Sequence, residues 1–189
     1  GTVVIADPLD GTTNFLHGYP EYSVSVAIAR DGVLCAGAVV NVARGDEFTA
    51  LKGGGAFLNG NRIHVSTLRE PARALIGTGF PFKNIEKLPH YLEQFSLVMR
   101  GTAGIRRAGS AALDLSNVAC GRFDAFWELV LAPWDIAAGI LMVQEAGGVV
   151  TDLDGNPATL TSGAFVAGNP AMHVWLLQTL RRANLSKGN

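Results

Sequence analysis

Two aspartates three residues apart, Asp7 and Asp10, sit in the stretch Asp7-Pro8-Leu9-Asp10-Gly11-Thr12-Thr13-Asn14-Phe15. Like charges at roughly 4 Å repel by about 4 kcal/mol at an effective dielectric of 20. A hard divalent cation turns that cost into a gain, and Mg²⁺ favours carboxylate, carbonyl and water oxygens. Pro8 fixes its own φ and carries no N–H, which leaves the Leu9 carbonyl and the Asp10 carboxylate free to turn the same way as Asp7. Gly11 permits a tight turn. Thr12, Thr13 and Asn14 then offer N–H groups at the start of a short helix, a setting that suits a phosphate. The local chemistry is a metal shelf beside an anion cradle. The residues alone leave a plainer reading open, because Asp-Pro and Asp-Gly are turn dipeptides and Thr-Thr-Asn caps helices.

The rest of the chain must bring further groups to this shelf. Val3-Val4-Ile5-Ala6 reads as a buried strand that stops at Asp7. Residues 21–30 alternate, with Tyr22, Val24, Val26 and Ile28 on one face. Asp31-Gly32 and Asn59-Gly60 are hairpin signals, with strands at 33–42 and 47–51, so the first part is an antiparallel meander. Lys52-Gly53-Gly54-Gly55 lacks the Gly-Lys-Ser/Thr ending of a phosphate loop and reads as a turn. From about residue 69 helices and strands alternate: a strand at 74–78, and a helix at 85–99 burying Leu88, Tyr91, Leu92, Phe95 and Val98 or Met99. Ser110 caps a helix over 111–119, and a strand over 123–128 ends in Glu128. Pro133 suits the first turn of a helix. Asp135 in that turn gains about 0.3–1 kcal/mol from the helix dipole, or serves as a third acid. Ile136, Ile140, Val143 and Ala146 form that helix's buried stripe, and Gly147-Gly148 ends it. Strands at 149–150 and 165–167 and a helix over 170–182 follow, with a frayed tail at 184–189. His17 reads as a solvated loop residue.

Bulk properties narrow the class. With 189 residues, 48% hydrophobic and 16% charged, the chain has a sizeable core and is not disordered. A formal net charge of −1 argues against a general nucleic-acid or anionic-membrane binder. No apolar run reaches a transmembrane length, and no basic segment marks a signal peptide. Cys35 and Cys120 read as buried free thiols of a reducing, cytoplasmic compartment.

The nine-residue string resembles the metal-binding signature of the inositol monophosphatase family. Trp134-Asp135-Ile136-Ala137-Ala138-Gly139 resembles the family's second signature, in the family's order. The resemblance implies a layered α-β-α-β-α sandwich, an α/β (α+β) fold, in one phosphatase domain over 1–189 that lacks the family's N-terminal third. Residues to about 68 form its antiparallel sheet and 69–189 its alternating part. It implies two or three Mg²⁺ ions held by Asp7, the Leu9 carbonyl, Asp10 and Asp135, with Asp10 and Thr12 catalytic. Gly11, Thr12 and Thr13 would meet the phosphate, and Gly109, Ser110, Ala111, Glu128 and Asp135 the substrate's ring hydroxyls. The implied activity is Mg²⁺-dependent, lithium-sensitive hydrolysis of inositol monophosphate or a related sugar or polyol phosphate, in a homodimer. Relatives acting on fructose 1,6-bisphosphate or 3′-phosphonucleotides share the Asp-x-x-Asp core. The nucleotide branch usually carries Lys where Thr13 stands. Some bacterial relatives act instead as regulators that bind the transcription antitermination machinery.

Overall fold

The computed structural model describes residues 1–82 and 84–185. Six strands form a first sheet in sequence order: β1 (Thr2–Asp10), β2 (Ser23–Arg30), β3 (Val33–Asn41), β4 (Asp46–Leu51), β5 (Gly55–Leu58) and β6 (Asn61–Ile63). Helix α1 (Thr12–Leu16) links the first two. At the hairpins, Asp31-Gly32 and Asn59-Gly60 all take positive φ, the arrangement that matches the twist of the paired strands. Then come β7 (Leu75–Thr78), α2 (Leu88–Gly101), β8 (Gly104–Arg106), α3 (Ala111–Ala119), β9 (Ala125–Glu128), α4 (Pro133–Glu145), β10 (Val149–Thr151), β11 (Phe165–Gly168) and α5 (Pro170–Leu185). These strands form a second sheet, ordered β10-β11-β9-β7-β8, with β7 parallel to both its neighbours.

Helix α4 decides which face of the first sheet is buried. The alternation expected in β2 is present, but its buried face is the opposite one. Ser23, Ser25, Ala27 and Ala29 are buried, whereas Val24 and Ile28 are exposed. A Cβ added to Gly37 of β3 would stand 3.1 Å from the Cα of Ala138 in α4. Only small side chains fit beneath a helix backbone that close. Strand β1 differs too: it is an edge strand with Val3 and Val4 exposed, and it runs on through Asp10.

Helices α3 and α4 lie between the two sheets, and every residue from Ile136 to Val143 is buried. A Cβ on Gly139 would meet the Leu115 side chain at 2.5 Å, so the two helices pack at glycine distance. Strand β9 feeds two cores by its period of two. Phe126 joins the α3/α4 layer, while Ala125 and Trp127 join the core under α2 and α5. The described residues thus stack as sheet, helices, sheet, helices. The outermost helical layer of the expected sandwich is not among them.

Smaller differences have local causes. A 3-10 turn (Ile85–Lys87) precedes α2, which buries Tyr91, Gln94 and Val98 and leaves Leu92 and Met99 exposed. Cys35 and Cys120 are free but only half-buried. Helix α5 continues to Leu185, past the point where fraying was expected, and the rest of the expected frayed tail, 186–189, lies outside the described residues. Among the described residues no helix is long and apolar enough to cross a membrane.

Candidate functional site

A bulge at Pro8 and Leu9 builds the shelf. Asp7 pairs with Ser25 and Asp10 with Ser23, so three steps along β1 match two along β2. An extra residue in one strand bends it and re-aims side chains, and Pro is tolerated there because it has no N–H to pair. Asp7 and Asp10 are thereby turned toward one place. The Leu9 N–H donates back to Asp7 Oδ1 at 2.9 Å and holds the bend. Gly11, at φ 86°, then turns the chain into α1. A Cβ there would lie 2.9 Å from the Glu21 carbonyl oxygen, so both the angle and the space require glycine.

Asp135 arrives from the first turn of α4. Its Oδ2 accepts the Ala132 N–H at 2.8 Å, which fixes the carboxylate at the head of the helix. One carboxylate oxygen from each of Asp7, Asp10 and Asp135 falls within 4.8 Å of the others. Asp10 is the deepest of the three, 9 % exposed. Its Oδ2 accepts the Ser110 hydroxyl at 2.6 Å and the Ala112 N–H at 2.9 Å. Its carboxyl is raised to about 6, chiefly by burial; the Ser110 and Ala112 bonds work against the rise, and Asp135 and Asp7 add to it. Ser110 also accepts the Leu113 N–H as the cap of α3. One hydroxyl thus serves the helix and the acid together.

These groups line one cavity of about 480 Å³. Every residue the sequence put forward as ligand, catalyst or substrate contact lines it: Asp7, Leu9, Asp10, Gly11, Thr12, Thr13, Gly109, Ser110, Ala111, Glu128 and Asp135. His17 is exposed and does not. The Thr12 hydroxyl donates to the Leu9 carbonyl at 3.0 Å. Asn14 Nδ2 donates to the carbonyls of Glu21 and Ala108, at 2.6 and 2.9 Å, and ties α1 to the Gly109 turn. The Glu128 carboxylate rests against Gly79: a Cβ there would stand 2.1 Å from Glu128 Cδ.

Sequence reasoning missed several lining residues. Thr78 is fully buried and hydrogen-bonds Tyr91 at 3.1 Å. Arg107 stands over the rings of Phe80 and Phe82, 5.5 and 5.1 Å from their centres. Asp114 is 2 % exposed on α3. The available signal for Asp114 was an acid four residues after the capping Ser110, in an otherwise apolar Ala-Ala-Leu-Asp-Leu run.

A model of the inositol monophosphatase family matches residues 1–185. "Nus factor SuhB" of Pseudomonas aeruginosa is 51% identical over 179 residues, covering 94% of this chain and 66% of that protein. "Inositol-1-monophosphatase" of Rhizobium meliloti is 48% identical over 183 residues, 97% of this chain and 69% of that protein. The crystal structure of extragenic suppressor protein suhB from Bartonella henselae superposes with a TM-score of 0.93 at 45% identity, covering 100% of this chain and 70% of that one. The chain spans about two thirds of the length of the curated relatives it matches.

Proposed function

The chain belongs to the inositol monophosphatase family, and from that premise we propose a Mg²⁺-dependent phosphomonoesterase acting on inositol monophosphate or a related small sugar or polyol phosphate. The observation that carries this reading is the convergence of Asp7, Asp10 and Asp135 to within 4.8 Å at the wall of a cavity. Three carboxylates this close repel unless a cation joins them. With the Leu9 carbonyl beside them the donor set is all oxygen, which fits Mg²⁺. When bound, Mg²⁺ would supply charge to the phosphate and leaving oxygens and acidify an attacking water.

The chain's own groups do the remainder. The Gly11 and Thr12 backbone meets the phosphate, and pre-placed N–H donors there need no reorganisation as charge develops. The Thr12 hydroxyl has its proton committed to the Leu9 carbonyl. Its lone pairs are therefore left to accept from the attacking water and orient it. Glu128 accepts from a hydroxyl of the polyol. Ser110 is committed to Asp10, and neither cysteine lines the cavity. That favours direct attack by water over a covalent phosphoenzyme.

The test is a phosphate-release screen on the full-length protein, against inositol, sugar, nucleotide and aryl phosphates. Turnover with Mg²⁺ that vanishes in EDTA, and is greatest on polyol esters, is expected. No release from any ester would overturn the reading. A second reading rests on the P. aeruginosa relative, named a Nus factor: the protein also binds transcription machinery, as a homodimer. An Asp10→Asn variant that still retains RNA polymerase or Nus factors in a pull-down supports it, and a variant or wild type that retains neither refutes it.

A further inference from the structure

Asp114 is a buried acid for which the mechanism above has no use. It lies in the first turn of α3, four residues after the Ser110 that holds Asp10. Only 2 % of it is exposed, and it lines the same cavity as Glu128 and Thr78. Its Oδ1 has no hydrogen-bond partner among the described residues. A buried polar atom without a partner is costly, and native folds leave few of them. Asp114 is not the cap of α3; that place belongs to Ser110, whose hydroxyl accepts the Leu113 N–H. The acid therefore serves whatever enters the cavity.

The surroundings narrow that ligand. Beyond the metal shelf, the inner wall carries Glu128, Asp114 and the buried hydroxyl of Thr78. Glu128 cannot swing aside freely, because its carboxylate is seated on Gly79 at the end of β7. Arg107 also lines the cavity and supplies a positive charge, so the two carboxyls count for their hydrogen bonds rather than for repulsion. They favour neutral hydroxyls, which donate to one carboxyl while accepting from another. After burial, the carboxylates of Glu128, Asp10 and Glu21 push the Asp114 carboxyl well above the ordinary carboxylate range, and Arg107 only partly opposes them. A neutral carboxyl can both donate and accept.

We propose that Asp114 is a specificity-determining residue, whose carboxyl hydrogen-bonds a hydroxyl of the polyol part of the phosphate ester beside Glu128. The proposal rests on the polyol-phosphate reading and extends it. It assigns recognition of adjacent hydroxyls to a pair of carboxyls from α3 and β9.

The experiment compares myo-inositol 1-phosphate with 4-nitrophenyl phosphate, which has no hydroxyls to grip, on the full-length Mg²⁺-loaded protein. Asp114→Ala should raise KM for the inositol ester by about tenfold, equivalent to about 1.4 kcal/mol, and leave kcat/KM for the aryl ester within about threefold. Asp114→Asn, which keeps both a donor and an acceptor, should restore the inositol KM to within about threefold of wild type, with an unchanged or higher Tm. Where Ala does not fold, Asp114→Leu keeps the volume and should show the same split. Equal losses on both esters, or an unchanged inositol KM in the Ala or Leu variant, would overturn the inference while leaving the phosphatase reading intact. A wild type that hydrolyses the aryl ester but no polyol phosphate would overturn the substrate reading itself.

Discussion

Replacing Asp10 by Asn separates the residue's place in the fold from its place in the chemistry. The side chain is 9 % exposed, and its carboxyl is raised from the ordinary 3.8 to about 6. The difference is about 2, and at about 1.4 kcal/mol per pKa unit it amounts to about 3 kcal/mol. The native, metal-free protein holds this proton more tightly than the unfolded chain does. Its stability is therefore fullest below the unfolded value of 3.8, falls as the pH rises through about 6, and is level above that. Asn is nearly isosteric and its carbonyl can still accept from Ser110 and Ala112. It carries no charge to desolvate. In EDTA at neutral pH, Asp10→Asn should therefore unfold in urea with up to about 3 kcal/mol more stability than wild type. Its stability should also lose the decline between pH 4 and 6. With Mg²⁺ at about 100 times its Kd, wild type gains about 2.7 kcal/mol, and the variant should gain almost none. Phosphate release should fall to background. A variant no more stable than wild type in EDTA, or one that Mg²⁺ protects equally, would refute the reasoning.

Ser110→Ala removes both the cap of α3 and a hydrogen bond to ionised Asp10, and should cost about 0.5–2 kcal/mol for the cap alone. It should also move the pH midpoint of Mg²⁺ binding, measured by calorimetry, to higher pH, because a bond that favours the ionised form is lost. Glu128→Gln should lower kcat/KM for inositol phosphate by about 1–3 kcal/mol and hardly affect an aryl phosphate; equal losses would assign Glu128 to the metal site or the fold. Li⁺ should inhibit at low Mg²⁺, uncompetitively or noncompetitively with substrate, and indifference to high Li⁺ would indicate a different second metal position.

The shelf was legible because it is contiguous: Asp7, Leu9, Asp10 and Gly11 are neighbours in sequence, and a bulge and a turn suffice to converge them. Asp135 was legible through the Pro133 that starts its helix and the tryptophan beside it. The buried face of β2 was not, because Ala138 of α4, more than a hundred residues later, sets the space available. Apolar Val24 and Ile28 took the open face, and Ser23 and Ser25 the covered one. Asp114 escaped notice for a related reason. An acid in the first turn of a helix reads as solvated until the topology puts a sheet on each side of that helix. Likewise, nothing in Thr78-Gly79 announces that Glu128 rests on it.

The claim that three aspartates and one backbone carbonyl hold the catalytic metal ions is tested most directly by anomalous diffraction from crystals of the full-length protein grown with Mn²⁺ and inorganic phosphate. The expected result is anomalous density at about 2.0–2.3 Å from the carboxylates of Asp7, Asp10 and Asp135 and from the Leu9 carbonyl, with phosphate against the Gly11-Thr12 backbone. Manganese bound elsewhere, with these carboxylates contacting only water and protein, would contradict the account.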